Sequence, residues 1–122
     1  MYLVGGDHPN RDAARHAIEV AVTSRELLVT DAEVFQEILH RYMAIERRDA
    51  IEPAWRTLRT LVDEIYPIEM EDVDRARAIV ATGQLTARDA IHVAVMQRRA
   101  ITEILTFDAD FDRVPGILRR PA

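Results

Sequence analysis

Asp89 is the residue in this sequence whose type and position most directly suggest chemistry. It lies near the start of residues 85–96, where Thr86 followed three residues later by an acid has the form of a helix capping box. The rest of this segment is apolar nearly all round the helix, which predicts that other elements cover it. A carboxylate at the mouth of a buried helix loses its hydration unless a cation or hydrogen-bond donors meet it. Asp89 is therefore either a structural cap or an acid with a function, and capping is the commoner role.

Further acids follow two predicted strands. Thr30 and Asp31 come directly after one apolar run, and Asp108 and Asp110 come shortly after another. In a parallel sheet, ligands bind beyond the carboxyl ends of the strands, so we expect these acids and Asp89 to share one rim. Carboxylates placed around one point repel each other unless cations neutralise them. Oxygen ligands without cysteine suit Mg²⁺ or Mn²⁺, and such an ion polarises a phosphate and generates hydroxide for in-line attack.

Length and composition indicate one globular domain over residues 1–122. The chain is 48% hydrophobic and 30% charged, which is ordinary for a folded domain. No apolar run approaches the roughly 20 residues that a membrane span needs, and no signal-peptide pattern is present, so we expect a cytoplasmic protein that does not bind membranes. The absence of cysteine excludes disulfides and cysteine-bound zinc. The net charge of −5 argues against coating nucleic acid by charge alone, but an acidic cluster carrying a metal ion can still meet phosphate.

Hydrophobic periodicity predicts strands that alternate with helices. A short apolar start at residues 1–4 leads into a dense turn at residues 5–10. The later elements are a helix after Thr30, helices over residues 10–22, 50–62, 71–82 and 85–96, and strands over residues 26–29, 64–68, 103–106 and 117–118. The strand at 64–68 contains a proline, which places it at a sheet edge. This alternation predicts an α/β domain with a mostly parallel sheet and helices on both faces.

The helix after Thr30 contains a glutamate that periodicity places away from the core. Thr30 and Glu33 have the spacing of a second capping box. Glu37 lies about 150° from the middle of the apolar stripe of this helix, which consists of Phe35, Ile38, Leu39 and Tyr42. On this pattern alone Glu37 is a solvated surface glutamate.

Several segments, taken in order, resemble the PIN-domain ribonucleases. They are residues 34–39 (VFQEIL), 87–94 (ARDAIHVA), 104–112 (ILTFDADFD) and 114–117 (VPGI). Each is a weak signal alone, but their order, spacing and position on predicted elements make the match fairly specific. Within that family the chain is most similar to VapC-type toxins of toxin–antitoxin pairs, over essentially its whole length. The resemblance implies a three-layer α/β/α sandwich that cleaves RNA with Mg²⁺ or Mn²⁺ held by acids, that is regulated by a cognate antitoxin, and that forms a homodimer.

The resemblance also implies which residues form the site. By position, Glu37 matches the glutamate on the second main helix, and Asp89 matches the aspartate that opens the central helix. Asp108 matches the acid after the fourth strand, with Asp110 supporting it, and Thr106 matches the hydroxyl residue on that strand. Glu37, Asp89 and Asp108 are thus the expected catalytic residues, and with Asp110 the expected metal ligands.

The amino end departs from the family pattern. The family opens with a buried strand that ends in a metal-binding aspartate and continues into a short helix, whereas residues 1–4 align with the end of that helix. The first strand and its aspartate are therefore expected to be missing, and Asp7 is not a convincing replacement. The start is either an internal methionine of a longer reading frame, which the retained acids favour, or the start of a member that has lost catalysis.

Three functions are compatible with the sequence. The leading hypothesis is a metal-dependent endoribonuclease toxin. The second is a non-catalytic interaction module that binds an antitoxin or itself, suggested by the missing aspartate. The third is a metal-dependent phosphatase or DNA nuclease, because the same acids can support that chemistry.

Overall fold

The structure is a computed structural model that describes residues 1–4, 11–83 and 85–120. The described strands are β1 (Tyr2–Leu3), β2 (Val29–Asp31), β3 (Glu64–Tyr66), β4 (Glu103–Leu105) and β5 (Leu118–Arg120). The described helices are α1 (Arg11–Thr23), α2 (Ala32–Ala44), α3 (Ile51–Leu61), α4 (Met70–Val80) and α5 (Ala87–Arg98), with 3-10 turns at Arg48–Ala50 and Ala109–Arg113. Among these helices none is long and apolar enough to cross a membrane. The predicted turn at residues 5–10, including Asp7, lies outside the described residues.

The five strands form one parallel sheet in the order β3-β2-β1-β4-β5. The first two connections step in one direction across the sheet, so right-handed crossovers place α1, α2 and α3 on one face. The connection from β3 to β4 steps back, which places α4 and α5 on the other face. Contacts of α2 with α3, and of α4 with α5, agree with this division. The predicted α/β/α sandwich is confirmed, and β3 lies at the predicted sheet edge.

The amino-terminal segment corrects one prediction. Residues 1–4 do not form a helix end with the first strand missing, because Tyr2–Leu3 is the central strand of the sheet. Tyr2 pairs with Val29 of β2 and with Ile104 of β4. Without a strand in this position, β2 and β4 would leave unpaired backbone groups in the middle of the domain, and an apolar extended segment satisfies both. Val4 follows β1, so the strand does not end in the aspartate typical of the family.

Helix α5 lies at the centre of the core. Its buried side chains are Ala90, His92, Val93, Ala94, Val95 and Met96. The apolar members of this group pack with side chains of the three central strands, Tyr2, Val29 and Ile104. Phe111, from the 3-10 turn between β4 and β5, belongs to the same cluster. The prediction that other elements cover this helix is confirmed, and among its buried side chains His92 is the one whose polar atoms need hydrogen-bond partners.

The amino ends of two helices test the predicted caps. Thr86 caps α5 as predicted, since its Oγ1 accepts a hydrogen bond from the Asp89 amide at 3.2 Å. The capping box predicted at Thr30 is wrong: Thr30 is still in β2, and its hydroxyl donates to the Leu3 carbonyl at 2.7 Å. Asp31 caps α2 instead, because it is the residue at which the chain leaves the sheet, and its Oδ1 accepts from the Val34 amide at 3.1 Å.

An ion pair joins α4 to α5. The Asp72 carboxylate is 1% exposed and accepts from Arg98 Nε at 2.7 Å and Nη2 at 2.9 Å. It also accepts from the Glu69 amide at 2.8 Å, which completes the cap of α4. Burial raises the pKa of Asp72, but the Arg98 and Glu69 hydrogen bonds outweigh burial and hold that pKa below its usual range.

Candidate functional site

The carboxyl ends of the central strands gather the polar residues of this domain. Asp31 ends β2, and Thr106 directly follows β4. Glu37 lies in the second turn of α2, the helix that starts from β2, and Asp89 lies in the first turn of α5. In a parallel sheet the carboxyl ends of all strands lie at the same edge, which is why these residues are expected to share one rim.

His92 connects two acids of this rim. Its Nδ1 lies 2.7 Å from Asp31 Oδ2, and its Nε2 lies 2.9 Å from Glu37 Oε1. The His92 and Asp31 side chains are 0% exposed. The Tyr2 hydroxyl also donates to Asp31 Oδ2. A buried imidazole between two carboxylates is therefore fully hydrogen-bonded, which is what burial of so polar a group requires.

The hydrogen bonds of His92 determine its charge. Burial lowers the pKa of His92, but the bonds to Asp31 and Glu37 outweigh burial and raise that pKa to about 9. Because ionised carboxylates only accept hydrogen bonds, both ring nitrogens donate when the ring is protonated. At neutral pH the group is a cation between two carboxylates.

The position of Glu37 differs from the periodicity-based prediction. Glu37 is 8% exposed and is not a solvated surface glutamate. Its partners are His92 on α5 and Arg88, whose Nε lies 3.6 Å from Glu37 Oε1. Arg88 also lies 3.8 Å from Glu33 Oε1, and its side chain is 44% exposed. Periodicity failed here because the polar face of α2 is covered by charged residues of α5.

Asp89 carries the clearest electrostatic signature of the site. The residue is half-buried. Burial is the largest effect on its pKa and raises it, His92 opposes this, and the carboxylates of Asp108 and Glu37 raise the pKa further. The net result is a carboxyl whose pKa lies above its usual range. Asp89 thus interacts electrostatically with both Asp108 and Glu37, and this repulsion is incompletely neutralised.

The turn after β4 positions Asp108. Thr106 is buried, and its Oγ1 accepts from the Asp108 amide at 3.2 Å. Asp108 Oδ1 in turn accepts from the Asp110 amide at 2.9 Å and caps the 3-10 turn. The Asp110 carboxylate lies 3.4 Å from Arg113 Nη1. Thr106 and Asp108 thus form one local unit, whereas Asp110 faces Arg113 and no described contact brings its carboxylate to the other acids.

The site suits a divalent cation in donor type and in charge. Its donors are carboxylate oxygens, which hard cations such as Mg²⁺ and Mn²⁺ prefer. The raised pKa of Asp89 shows that burial and neighbouring carboxylates disfavour its charged form, which a cation would relieve. In the part of the chain that the structure describes, however, no three acids or histidines already lie close enough together to hold an ion. The acids are near one another without forming a closed cage.

A groove runs from the site across the face formed by α1, α2 and α3. Its volume is about 640 Å³, and most of the surface that lines it is apolar. Glu37 is the proposed site residue that lines it. The other lining residues include Ile18, Val34, Ile38, Tyr42, Leu58 and Leu61.

Reasoning from the sequence missed His92 and Arg88 as members of the site. One signal was present, because a histidine in an otherwise apolar buried helix must find hydrogen-bond partners. Arg88 and His92 are four residues apart on α5 and share a face, with Asp89 beside them. Their partners on α2 are far away in the sequence and could not be paired without the fold.

Comparisons with known proteins agree with this fold. The PIN domain family model matches residues 1–117. A VapC ribonuclease of Mycobacterium bovis and the ribonuclease VapC13 of Mycobacterium tuberculosis are each 52% identical to this chain over 120 residues, which is 98% of this chain and 92% of theirs. The ribonuclease VapC23 of Mycobacterium tuberculosis is 42% identical over 109 residues, which is 88% of this chain and 86% of its own.

Solved structures share the architecture at low sequence identity. VapC20 of Mycobacterium tuberculosis, a sarcin-ricin loop cleaving toxin, has a TM-score of 0.70 at 19% identity, with 96% of this chain and 97% of that chain covered. VapBC2 of Rickettsia felis, solved with a DNA fragment from its promoter, has a TM-score of 0.71 at 11% identity, with 97% of this chain and 96% of that chain covered. The coverage of the family model and the identity to the mycobacterial proteins show that this chain belongs to the VapC ribonuclease family of PIN-domain proteins.

Proposed function

We propose that this chain is a metal-dependent endoribonuclease that acts as the toxin of a type II toxin–antitoxin pair. Glu37, Asp89 and Asp108 are the catalytic residues and hold Mg²⁺ or Mn²⁺, with Asp110 and Thr106 supporting. The proposal is supported by membership of the VapC ribonuclease family and by the position of Asp89, which is half-buried and whose pKa is raised by burial and by the carboxylates of Asp108 and Glu37. His92 and Arg88 neutralise only part of the repulsion among these acids, and a divalent cation would relieve the rest.

Each acid has a defined task in this proposal. Asp89 and Glu37 present carboxylate oxygens from two helices that face each other across the rim, and Asp108 presents a third from the turn that Thr106 orients. When bound, the divalent ion supplies Lewis-acid polarisation of the scissile phosphate and lowers the pKa of its bound water. The Asp110 carboxylate can join these three acids only if its ion pair with Arg113 breaks.

The substrate and partner follow from the relatives and from the groove. The mycobacterial relatives are named as ribonucleases, which favours RNA over DNA or small phosphate esters. One structural neighbour is a toxin–antitoxin complex from Klebsiella pneumoniae, with a TM-score of 0.59 at 16% identity. The apolar groove beside Glu37 suits a cognate antitoxin segment that covers the acids when bound. Homodimerisation and a cytoplasmic location remain predictions.

Metal removal tests the proposed activity. The chain is stripped with EDTA, dialysed, and assayed on RNA, on DNA and on a small phosphate ester, each with and without added Mn²⁺. We expect cleavage of RNA alone, and only after Mn²⁺ is returned. Cleavage that survives EDTA would refute metal dependence, and faster hydrolysis of DNA or of the ester would refute the ribonuclease assignment in favour of a DNA nuclease or phosphatase.

A non-catalytic interaction module is the second candidate. It is favoured by the lack of a closed set of three metal-binding side chains among the described residues. This candidate predicts that the chain forms a stoichiometric complex with a co-expressed antitoxin but neither binds Mn²⁺ nor cuts RNA. Mn²⁺-dependent cleavage refutes it.

A further inference from the structure

We propose that His92 is a positioning residue that fixes the Glu37 carboxylate and sets its distance from Asp89. The inference rests on the proposed function, because it concerns the geometry of two proposed metal ligands. Its basis is the juxtaposition of His92 with Glu37 on one side and Asp31 on the other, at 2.9 and 2.7 Å.

The contacts of Glu37 determine which of its oxygens is available. His92 Nε2 and Arg88 Nε both approach Oε1, at 2.9 and 3.6 Å. Because these two groups hold Oε1, Oε2 is the oxygen that can turn towards a cation. The side chain is 8% exposed, so its rotamer is also limited by packing. A carboxylate restrained in this way loses less freedom when it binds a metal ion.

The imidazole is itself held on its other side. Asp31 Oδ2 accepts from His92 Nδ1, while Asp31 Oδ1 accepts from the Val34 amide at 3.1 Å and so starts the helix that carries Glu37. Asp31 thus fixes both the amino end of α2 and the imidazole ring that contacts Glu37. The position of the imidazole is set by the sheet rather than by solvent.

The hydrogen bond between His92 and Glu37 also links helices α5 and α2. His92 and Asp89 are three residues apart on α5, whereas Glu37 lies on α2. A hydrogen bond from His92 to Glu37 therefore fixes the separation of the two carboxylates that come from different helices. Loss of the bond would leave Glu37 free to rotate away from Asp89.

The test measures Mn²⁺ affinity rather than activity. Free Mn²⁺ is quantified by electron paramagnetic resonance during titration of the wild-type chain and of its variants. The variants are His92→Leu, His92→Gln, Glu37→Gln, the His92→Leu/Glu37→Gln double variant, Asp89→Asn and Asp72→Asn. We expect His92→Leu to weaken Mn²⁺ binding by about 10- to 100-fold, the usual effect of removing a partner that orients a metal ligand. His92→Gln retains an N–H donor at the depth of Nε2 and should bind more tightly than His92→Leu.

The double variant separates positioning from a merely structural role. If His92 acts through Glu37, the double variant binds Mn²⁺ no more weakly than Glu37→Gln alone. Asp72→Asn is the matched control, because it breaks the part-buried ion pair between Asp72 and Arg98 of α5, away from the rim, and it should leave Mn²⁺ affinity unchanged. If His92→Leu does not fold by circular dichroism, His92→Asn, whose shorter side chain does not reach Glu37, replaces it in the single and double variants with the same expected outcomes.

The outcomes distinguish this inference from the proposed function. If Glu37→Gln weakens Mn²⁺ binding and His92→Leu does not, or if the two losses are additive, His92 is not a positioning residue. If neither Glu37→Gln nor Asp89→Asn weakens Mn²⁺ binding, the metal site of the proposed function is refuted and the inference falls with it. Non-additive losses with recovery in His92→Gln support the inference.

Discussion

Replacement of His92 by leucine should destabilise the fold by about 3 kcal/mol. The change removes the cation that separates Asp31 and Glu37, and breaking a buried ion pair in this way costs about 3–5 kcal/mol. The loss falls at the lower end because Asp31 keeps two donors, Val34 N and the Tyr2 hydroxyl, and Glu37 keeps Arg88 at 3.6 Å. Domains of similar size are stable by roughly 5–15 kcal/mol, so the variant should fold but with much reduced stability.

Urea unfolding followed by circular dichroism measures this loss of folding free energy. In a thermal melt of a domain of this size, about 3 kcal/mol corresponds to a fall of roughly 10–15 °C in the melting temperature. Adding Glu37→Gln to His92→Leu removes one of the two stranded charges and should restore about 1 kcal/mol. An unfolding midpoint of His92→Leu equal to or above that of wild type would refute the reasoning, because the buried imidazole would then not be compensating the carboxylates.

Three further predictions concern the stability of the fold. Arg98 holds the pKa of Asp72 below its usual range, so the contribution of the ionised Asp72 to stability is present above about pH 4 and is lost as pH falls through the folded-state pKa. Asp72→Asn should therefore lower the free energy of unfolding more at pH 7 than at pH 3. A pH-independent difference in urea midpoints would contradict this. Phe111→Ala removes a side chain that is 1% exposed and should lower the free energy of unfolding by about 3–5 kcal/mol, and a loss below about 1 kcal/mol would show that the turn after β4 does not belong to the core. Thr86→Ala should cost about 1 kcal/mol in the same assay, since the Asp89 amide loses its cap, and a neutral result would show that water replaces the hydroxyl.

The parts of the fold that local sequence determines were predictable. The central helix follows from an apolar run and from a cap at Thr86, both of which act within a few residues. The pattern predicts β2 at residues 26–29, about three residues too early, because the apolar run at residues 27–29 does not reveal where sheet pairing begins. The same uncertainty makes the sequence predict a cap at Thr30 instead of at Asp31.

The parts that depend on distant partners were not predictable. The burial of Glu37 arises from His92, which is 55 positions away in the sequence, and nothing in the period of α2 signals it. The central strand at Tyr2–Leu3 depends on the open edges of β2 and β4, which only the assembled sheet provides. The electrostatic interaction of Asp89 with Asp108 and Glu37 similarly requires the parallel sheet to bring its strand ends to one rim.

Mn²⁺-dependent RNA cleavage by three matched chains tests the central claim most directly. The chains are wild type, Asp89→Asn and Asp112→Asn. Asp112 is an exposed aspartate in the acidic segment that also contains Asp108, and its carboxylate pairs with Arg119 at 2.9 Å. All three are first shown to be folded by circular dichroism. We expect wild type and Asp112→Asn to cut RNA at similar rates and Asp89→Asn to be inactive. Equal cleavage by Asp89→Asn would contradict the claim that the acidic rim is the active site.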